Sequence, residues 1–185
     1  MPKKADRYWT DLRYKALESY ALTDKDIRDA VGTNVFLYPD LYKVQHLDEL
    51  FDDKGRFVLL YLTKSENQGH WVAMLKKGNT LEYFDSYGGH LPDTERQWLS
   101  QTKLKELNQE HPRFMELVAN SGYKLSYNPY AYQDQTKHNN TCGRHVVARL
   151  YLYKLREKQY RDLIKRTGLD PDEFAIRVSY ALLGK

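Results

Sequence analysis

Apolar and polar positions along this chain switch between two periods, and the switches mark its elements. From Arg7 to Leu22 the apolar positions are Trp9, Leu12, Ala16 or Leu17, and Tyr20. That spacing of three and four predicts an amphipathic helix behind a frayed basic start at residues 1–9. Thr23 with Asp26 three residues on resembles a capping box, so a short helix is predicted over Asp24–Val31, stopped by Gly32. Asn34–Tyr38 reads as extended up to Pro39, and Asp40–Phe51 as a short helical patch before the turn Asp52-Asp53-Lys54-Gly55.

The period then changes. Phe57–Leu62 is a continuous apolar run, the pattern of a central strand buried on both faces. Trp71–Leu75 and Thr80–Phe84 follow as two more strands around a Lys77-Gly78-Asn79 hairpin turn, the second closing at Asp85. Ser86–Pro92 is a Gly-Gly loop. Thr94–Gln109 and Pro112–Asn120 predict helices, and Tyr123–Tyr127 and Tyr130–Gln133 short strands broken by Asn128-Pro129. A polar loop leads to a helix over Cys142–Glu157 with its apolar stripe at Val146, Val147, Leu150, Tyr151 and Tyr153, while Arg149, Lys154 and Arg156 look outward. Two helices complete the chain, the last announced by Asp170-Pro171 as N-cap and first turn.

Composition narrows the class. At 185 residues, with 41% hydrophobic and 29% charged residues, the chain is one domain-sized unit able to bury a core without staples. Its single cysteine permits no internal disulfide, no apolar run approaches the ~18–20 residues of a membrane span, and Met-Pro-Lys-Lys-Ala-Asp lacks a signal-peptide core. A non-secreted protein of cytosol, nucleus or virion interior is expected. The net charge of +4 comes with Lys and Arg concentrated between Arg144 and Arg166, which reads as a solvated helix face. A basic nucleic-acid-binding protein is the competing reading, without a recognisable binding motif. Tyrosine is abundant, 16 copies against 6 Phe and 3 Trp, and part of that aromatic surface suits a groove for an extended peptide.

The cysteine is where the chemistry points. Cys142 stands where the Asn-rich loop Gln133–Thr141 meets a helix, and a helix N-terminus favours thiolate over thiol. Asn-Asn-Thr-Cys-Gly-Arg is too polar for an inert buried cysteine, and Gly143 allows a substrate close to the backbone. Nucleophilic catalysis also needs a base, a group to orient it and donors for the oxyanion. Among His46, His70, His90, His111, His138 and His145, only His70 opens a strand after a polar loop, with Asp85 ending the neighbouring strand. A turn centred near Gly78 sets position 70 opposite about position 86, so Asp85 lies beside His70 and can fix its tautomer. The Cys142 N–H and a side-chain amide from Gln133 or Gln135 are the oxyanion candidates. One cysteine with His138 and His145 offers too few ligands for zinc, Gly88-Gly89 is a turn rather than a Walker-type phosphate loop, and no cofactor is called for.

Gly69-His70-Trp71 opening a strand, Tyr83-Phe84-Asp85-Ser86 ending the next, and a Gln before Asn-x-x-Cys-Gly resemble the adenain-like cysteine peptidases. That group joins the adenovirus maturation protease, the proteases that process SUMO and related modifiers, and similar enzymes of DNA viruses and virophages. The resemblance spans residues 69–145 directly. It implies an α+β fold in which a small mixed sheet packs against helices. It also implies Cys142 as nucleophile, His70 as base, Asp85 as its partner, and Gln135, seven residues before the cysteine, as the oxyanion amide. Trp71 and Gly143 would border the channel for the substrate. Thr141 departs from the Asp usual before the cysteine in SUMO-type enzymes, and Gln133 competes with Gln135.

The expectation is a single cysteine protease domain over residues 1–185, a monomeric endopeptidase of viral maturation cutting capsid or core precursors next to small, Gly-type residues. Its partners would be protein substrates, with DNA or a viral peptide as possible activator and no membrane. A SUMO- or ubiquitin-type isopeptidase is the alternative, and an acetyltransferase on the same fold a further one.

Overall fold

The computed structural model describes residues 4–65 and 68–185. Five strands form one mixed sheet in the order β1-β2-β3-β4-β5: Asn34–Leu37, Arg56–Ser65, Gln68–Lys77, Thr80–Asp85 and Lys124–Tyr127. The middle three form an antiparallel meander, and β1 and β5 pair in parallel at its two edges. The α-helices are α1 (Lys4–Ser19), α2 (Asp24–Val31), α3 (Gln101–Glu106), α4 (Arg113–Asn120), α5 (Cys142–Tyr151), α6 (Glu157–Thr167) and α7 (Pro171–Leu183). The architecture is therefore α+β with a small mixed sheet, as expected.

Alternation along β2 explains why its run is apolar throughout. Val58, Leu60 and Leu62 face a core shared with α5, α6 and α7, where Val146, Val147, Leu150, Tyr160, Ile164, Phe174 and Ala175 meet. Phe57, Leu59 and Tyr61 face a second core closed by Tyr38, Leu41, Leu47 and Leu50 and by Phe114, Leu117 and Val118 of α4. Successive side chains point to opposite faces, so a strand between two covered faces has no polar position to spare.

The local signals at α2 hold. Thr23 and Asp26 form a reciprocal capping box, and Gly32 ends the helix in the left-handed region at φ 58°. Elsewhere boundaries differ from the periodicity. The patch over 40–51 is two 3-10 turns, Tyr38–Lys43 and Leu47–Leu50, because Pro39 and short apolar spacing fit three residues per turn. The helix expected over 94–109 is a 3-10 turn, Thr94–Trp98, followed by α3, which is capped by the Ser100 side chain. Helix α1 already runs at Lys4, so residues 4–9 of the expected frayed start are helical, and residues 1–3 lie outside the described residues. The helix over 142–157 stops at Tyr151, and Glu157 opens α6 instead.

Residues 130–133 make no strand, because their backbone bonds go to the end of β4 rather than to a ladder. The N–H groups of Tyr132 and Gln133 both donate to the Ser86 carbonyl, at 2.8 and 2.9 Å. The outward face assigned to Arg149 is also corrected. Arg149 is fully buried and makes a bidentate pair with Glu82 of β4, at 2.8 Å for both bonds, whereas Tyr151, assigned to the apolar stripe, is exposed. Removing one partner of such a pair strands the other charge in the core, at a cost of about 3–5 kcal/mol. The basic stretch is thus not one solvated face, since Arg144 is buried as well.

Candidate active site

The site forms at the end of the sheet where β3 begins, β4 ends and α5 starts. In the hairpin register Val72 pairs with Asp85, one position off the expected pairing, so His70 lies two residues on along the same face. That diagonal brings His70 Nε2 to 2.6 Å from Asp85 Oδ1, both groups buried. Trp71 and Phe84 point to the opposite face, the one that α5 covers. Cys142, the first residue of α5, lines the same cavity as His70, and each shifts the titration of the other. With Nε2 committed to Asp85, Nδ1 is the nitrogen left for the sulfur.

The electrostatics favour a charged pair. Burial pushes the Cys142 thiol up, but the hydrogen bond and charge of His70 and the backbone N–H groups of Trp71 and Gly143 outweigh it, and the thiol titrates below its usual value. Burial likewise works against the His70 imidazolium, but the Asp85 carboxylate and the sulfur raise it well above the usual range. Asp85 is pushed up by burial and then held well below the carboxylate range by His70, His90 and the Tyr87 N–H. An activated thiolate beside an imidazolium, oriented by a carboxylate, is the arrangement nucleophilic catalysis requires.

Supporting contacts that the sequence did not single out fix Asp85 from all sides. Its Oδ2 accepts from His90 Nδ1 at 2.7 Å, and its Oδ1 accepts from the Tyr87 N–H at 2.9 Å. The Asn128 amide closes on the Asp85 backbone, accepting from its N–H at 2.9 Å and donating to its carbonyl at 2.6 Å. Tyr87 stacks on His70 with ring centroids 4.3 Å apart, and Trp98 meets the same ring edge-on at 5.5 Å. Only their neighbourhood in sequence to Asp85 and Pro129 could have flagged Tyr87 and Asn128; Trp98 carried no signal. His70, Asp85 and Glu95 also bring ligand-type atoms within 4.8 Å of one another, and two of the three residues, His70 and Asp85, are already bonded to each other.

The two candidate amides both line the cleft and differ in burial and in their bonds. Gln133 is buried and spent: its Oε1 accepts from the Ser86 hydroxyl at 2.8 Å, and its Nε2 donates to Asn139 Oδ1 at 2.8 Å. Gln135 begins a 3-10 turn, is exposed, lines the cleft beside Cys142, and its amide has no hydrogen-bond partner among the described residues. His138 sits exposed in the left-handed region of the same loop, and His145 is buried against Asp172, so neither faces the sulfur.

Two cavities meet at Cys142. One, of about 420 Å³, is lined by His70, Tyr87, His90, Trp98, Gln135 and Asn139; the other, of about 360 Å³, by Ala21, Leu22, Lys64, Gln68 and Trp71. Gly143, expected beside the substrate, is buried and lines neither cavity; a Cβ there would lie 3.0 Å from Leu22 Cβ and 3.2 Å from Trp71 Cδ1, so the glycine lets α5 pack closely on those side chains. Trp71 borders the second cavity but is only 5% exposed, its Nε1 donating to the Leu22 carbonyl at 3.1 Å.

No family model matches the sequence. An uncharacterized protein, V9, of Sputnik virophage is 31% identical over 172 residues, covering 89% of this chain and 97% of that protein. The chain belongs to the V9 family. Among solved structures, the SUMO protease Ulp1 with its catalytic cysteine oxidized to a sulfenic acid superposes with a TM-score of 0.44 at 16% identity, over 92% of this chain and 81% of Ulp1. The central domain of an uncharacterized Legionella pneumophila protein, Lpg1148, gives 0.40 at 16% identity, over 89% and 99%. V9 family membership brings no assigned activity, so the chemistry rests on the side chains themselves. Among the described residues no helix is long and apolar enough to cross a membrane.

Proposed function

We propose that this chain is a cysteine endopeptidase, with Cys142 as nucleophile, His70 as general acid and base, Asp85 as orienter, and Gln135 with the Cys142 N–H as oxyanion donors. The observation that carries the reading is the buried Asp85–His70 pair beside the half-buried Cys142, on a cleft that opens to two sides of the sulfur. The thiolate adds to the scissile carbonyl carbon, and the oxyanion is held by the Gln135 amide and the helix-terminal N–H. His70 gives its proton to the departing amine as the C–N bond breaks, leaving an acyl thioester. Water, deprotonated by His70, then attacks the thioester, releases the new carboxyl end and restores the thiolate.

The second side, walled by Trp71 and Leu22 next to Cys142, suits small residues before the cut. The similarity to a virophage protein supports a maturation role on virion precursors, acting in the virion or infected cell. The test is incubation of the purified chain and its Cys142→Ala variant with neighbouring capsid and core proteins, and in parallel with SUMO- and ubiquitin-amide reporters. Defined cleavage of structural proteins next to Gly, absent in the variant, is expected. Turnover of the modifier reporters alone replaces the maturation reading by the isopeptidase one. No Cys142-dependent hydrolysis of any amide refutes the function.

A further inference from the structure

The loop that carries Gln135 ends one residue before the nucleophile, and a carboxylate from a third element grips it at both ends. Asp172, in the first turn of α7, is 1% exposed. Its Oδ2 accepts from the Asp134 N–H at 3.0 Å, immediately before Gln135. Its Oδ1 accepts from the Thr141 hydroxyl at 2.6 Å, immediately before Cys142, and from His145 Nε2 at 2.9 Å, one turn along α5. We propose that Asp172 is a positioning residue for the oxyanion hole, fixing the separation of the Gln135 amide from the Cys142 N–H; the proposal rests on the protease reading above.

The surroundings make this side chain irreplaceable by its own amide. All three neighbours are donors, so a carboxylate satisfies them together, while an asparagine turns an NH2 towards at least one of them. The rest of the loop is tied as well, by Gln133 to Asn139 and by Asn140 to the Glu18 and Ser19 carbonyls of α1, and Gln135–His138 is its longest exposed run. Burial pushes the Asp172 carboxyl up, but His145, Thr141 and the Asp134 N–H bring it down to about 2, so the clamp is charged throughout the working range of a thiol enzyme. None of these bonds touches His70 or Asp85. The two halves of the machinery, proton transfer and oxyanion binding, therefore hang on separate carboxylates.

That separation is measurable. Asp172→Asn should lower kcat by about 30–100-fold, the order expected when an aligned donor is displaced by ~1 Å. Alkylation of Cys142 by iodoacetamide, which needs only the thiolate–imidazolium pair, should keep its rate within about twofold and its pH profile. Thr141→Val should repeat the pattern more mildly, and Thr141→Ser, which keeps the hydroxyl, should restore it. Amide hydrogen exchange at residues 134–141 supplies a readout free of any substrate: protection in the parent and exchange at least about tenfold faster in Asp172→Asn. Alkylation and turnover falling together, or unchanged exchange in the loop, overturns the clamp. A parent protein without peptidase activity overturns the function proposed above, while the exchange data still decide the clamp.

Discussion

Replacing His70 by alanine takes the counter-charge from Cys142 and leaves the sulfur with burial, which raises it, and two backbone N–H groups, which lower it. Suppose the thiol then returns to the free value of ~8.5. At pH ~6.5 about 1% of it is thiolate, against essentially all of it in a formed ion pair, a factor of about 100. The low-pKa thiolate is intrinsically less nucleophilic, and a Brønsted slope of ~0.4–0.5 gives back about 2.5–3-fold per unit of lowering, about 15–30-fold for a thiol that is ionised at this pH. Net, alkylation of the His70→Ala variant at pH ~6.5 should be about 3–6-fold slower than in the parent. The assay is the second-order rate with iodoacetamide, followed by intact mass from about pH 5 to 9. The parent should show its inflection on the acid side of a free thiol and the variant should lose it. His70→Gln, which fills more of the buried space next to Asp85, controls for loss of fold. Superimposable profiles, or a parent inflecting where a free thiol does, refute the ion pair.

Three further outcomes follow from the geometry. Gln135→Ala should lower kcat by about 10²–10³ with the fold intact, whereas Gln133→Ala, which strips two buried bonds from the loop, should lower the melting temperature; the reverse pairing in steady-state kinetics and thermal denaturation would exchange their roles. Glu95 is pushed up to about 8 by burial and by the charge of Asp85, with one buried carboxyl oxygen unpartnered. Its folded value lies above its ordinary 4.5, so its contribution is complete below that pH and is lost as pH rises through about 8. Glu95→Gln should therefore gain on the order of a few kcal/mol over the parent between pH ~5 and ~8.5, and a stability difference constant across that range would contradict the assignment. Finally, Gly69→Ala would set a Cβ 1.8 Å from the Tyr61 carbonyl oxygen, so the hairpin must shift. A variant with unchanged melting temperature and unchanged alkylation would show that this close approach is not required.

The candidate site was legible to an unequal degree. Cys142, His70 and Asp85 stood out because each occupies the end of an element, and a hairpin converts sequence distance into cross-strand proximity by simple counting. The choice between Gln133 and Gln135 was open to the chain's own pattern, since both are polar residues in one loop. Both line the cleft, and burial separates them: the Gln133 amide is consumed by Ser86 and Asn139, while Gln135 is exposed. His90, Asn128, Tyr87 and Trp98 joined the site through folds of the backbone that no periodicity records.

The basic stretch from Arg144 onward shows the same limit from the other side. Charge predicted an outward face, yet Arg144 and Arg149 lie inside, because Glu82 answers Arg149 from a strand 67 residues away, while Ser179 of α7 and the Leu17 carbonyl of α1 answer Arg144. Local chemistry, by itself, determined the strands of the meander, the Thr23 cap, the Gly32 stop and the identity of the thiol. Those features depend on a few neighbouring residues and on the two periods of polypeptide structure. Tertiary structure alone decided which charges are buried, which glutamine is spare, and which carboxylate holds the loop, because each depends on a partner brought from a distant part of the chain.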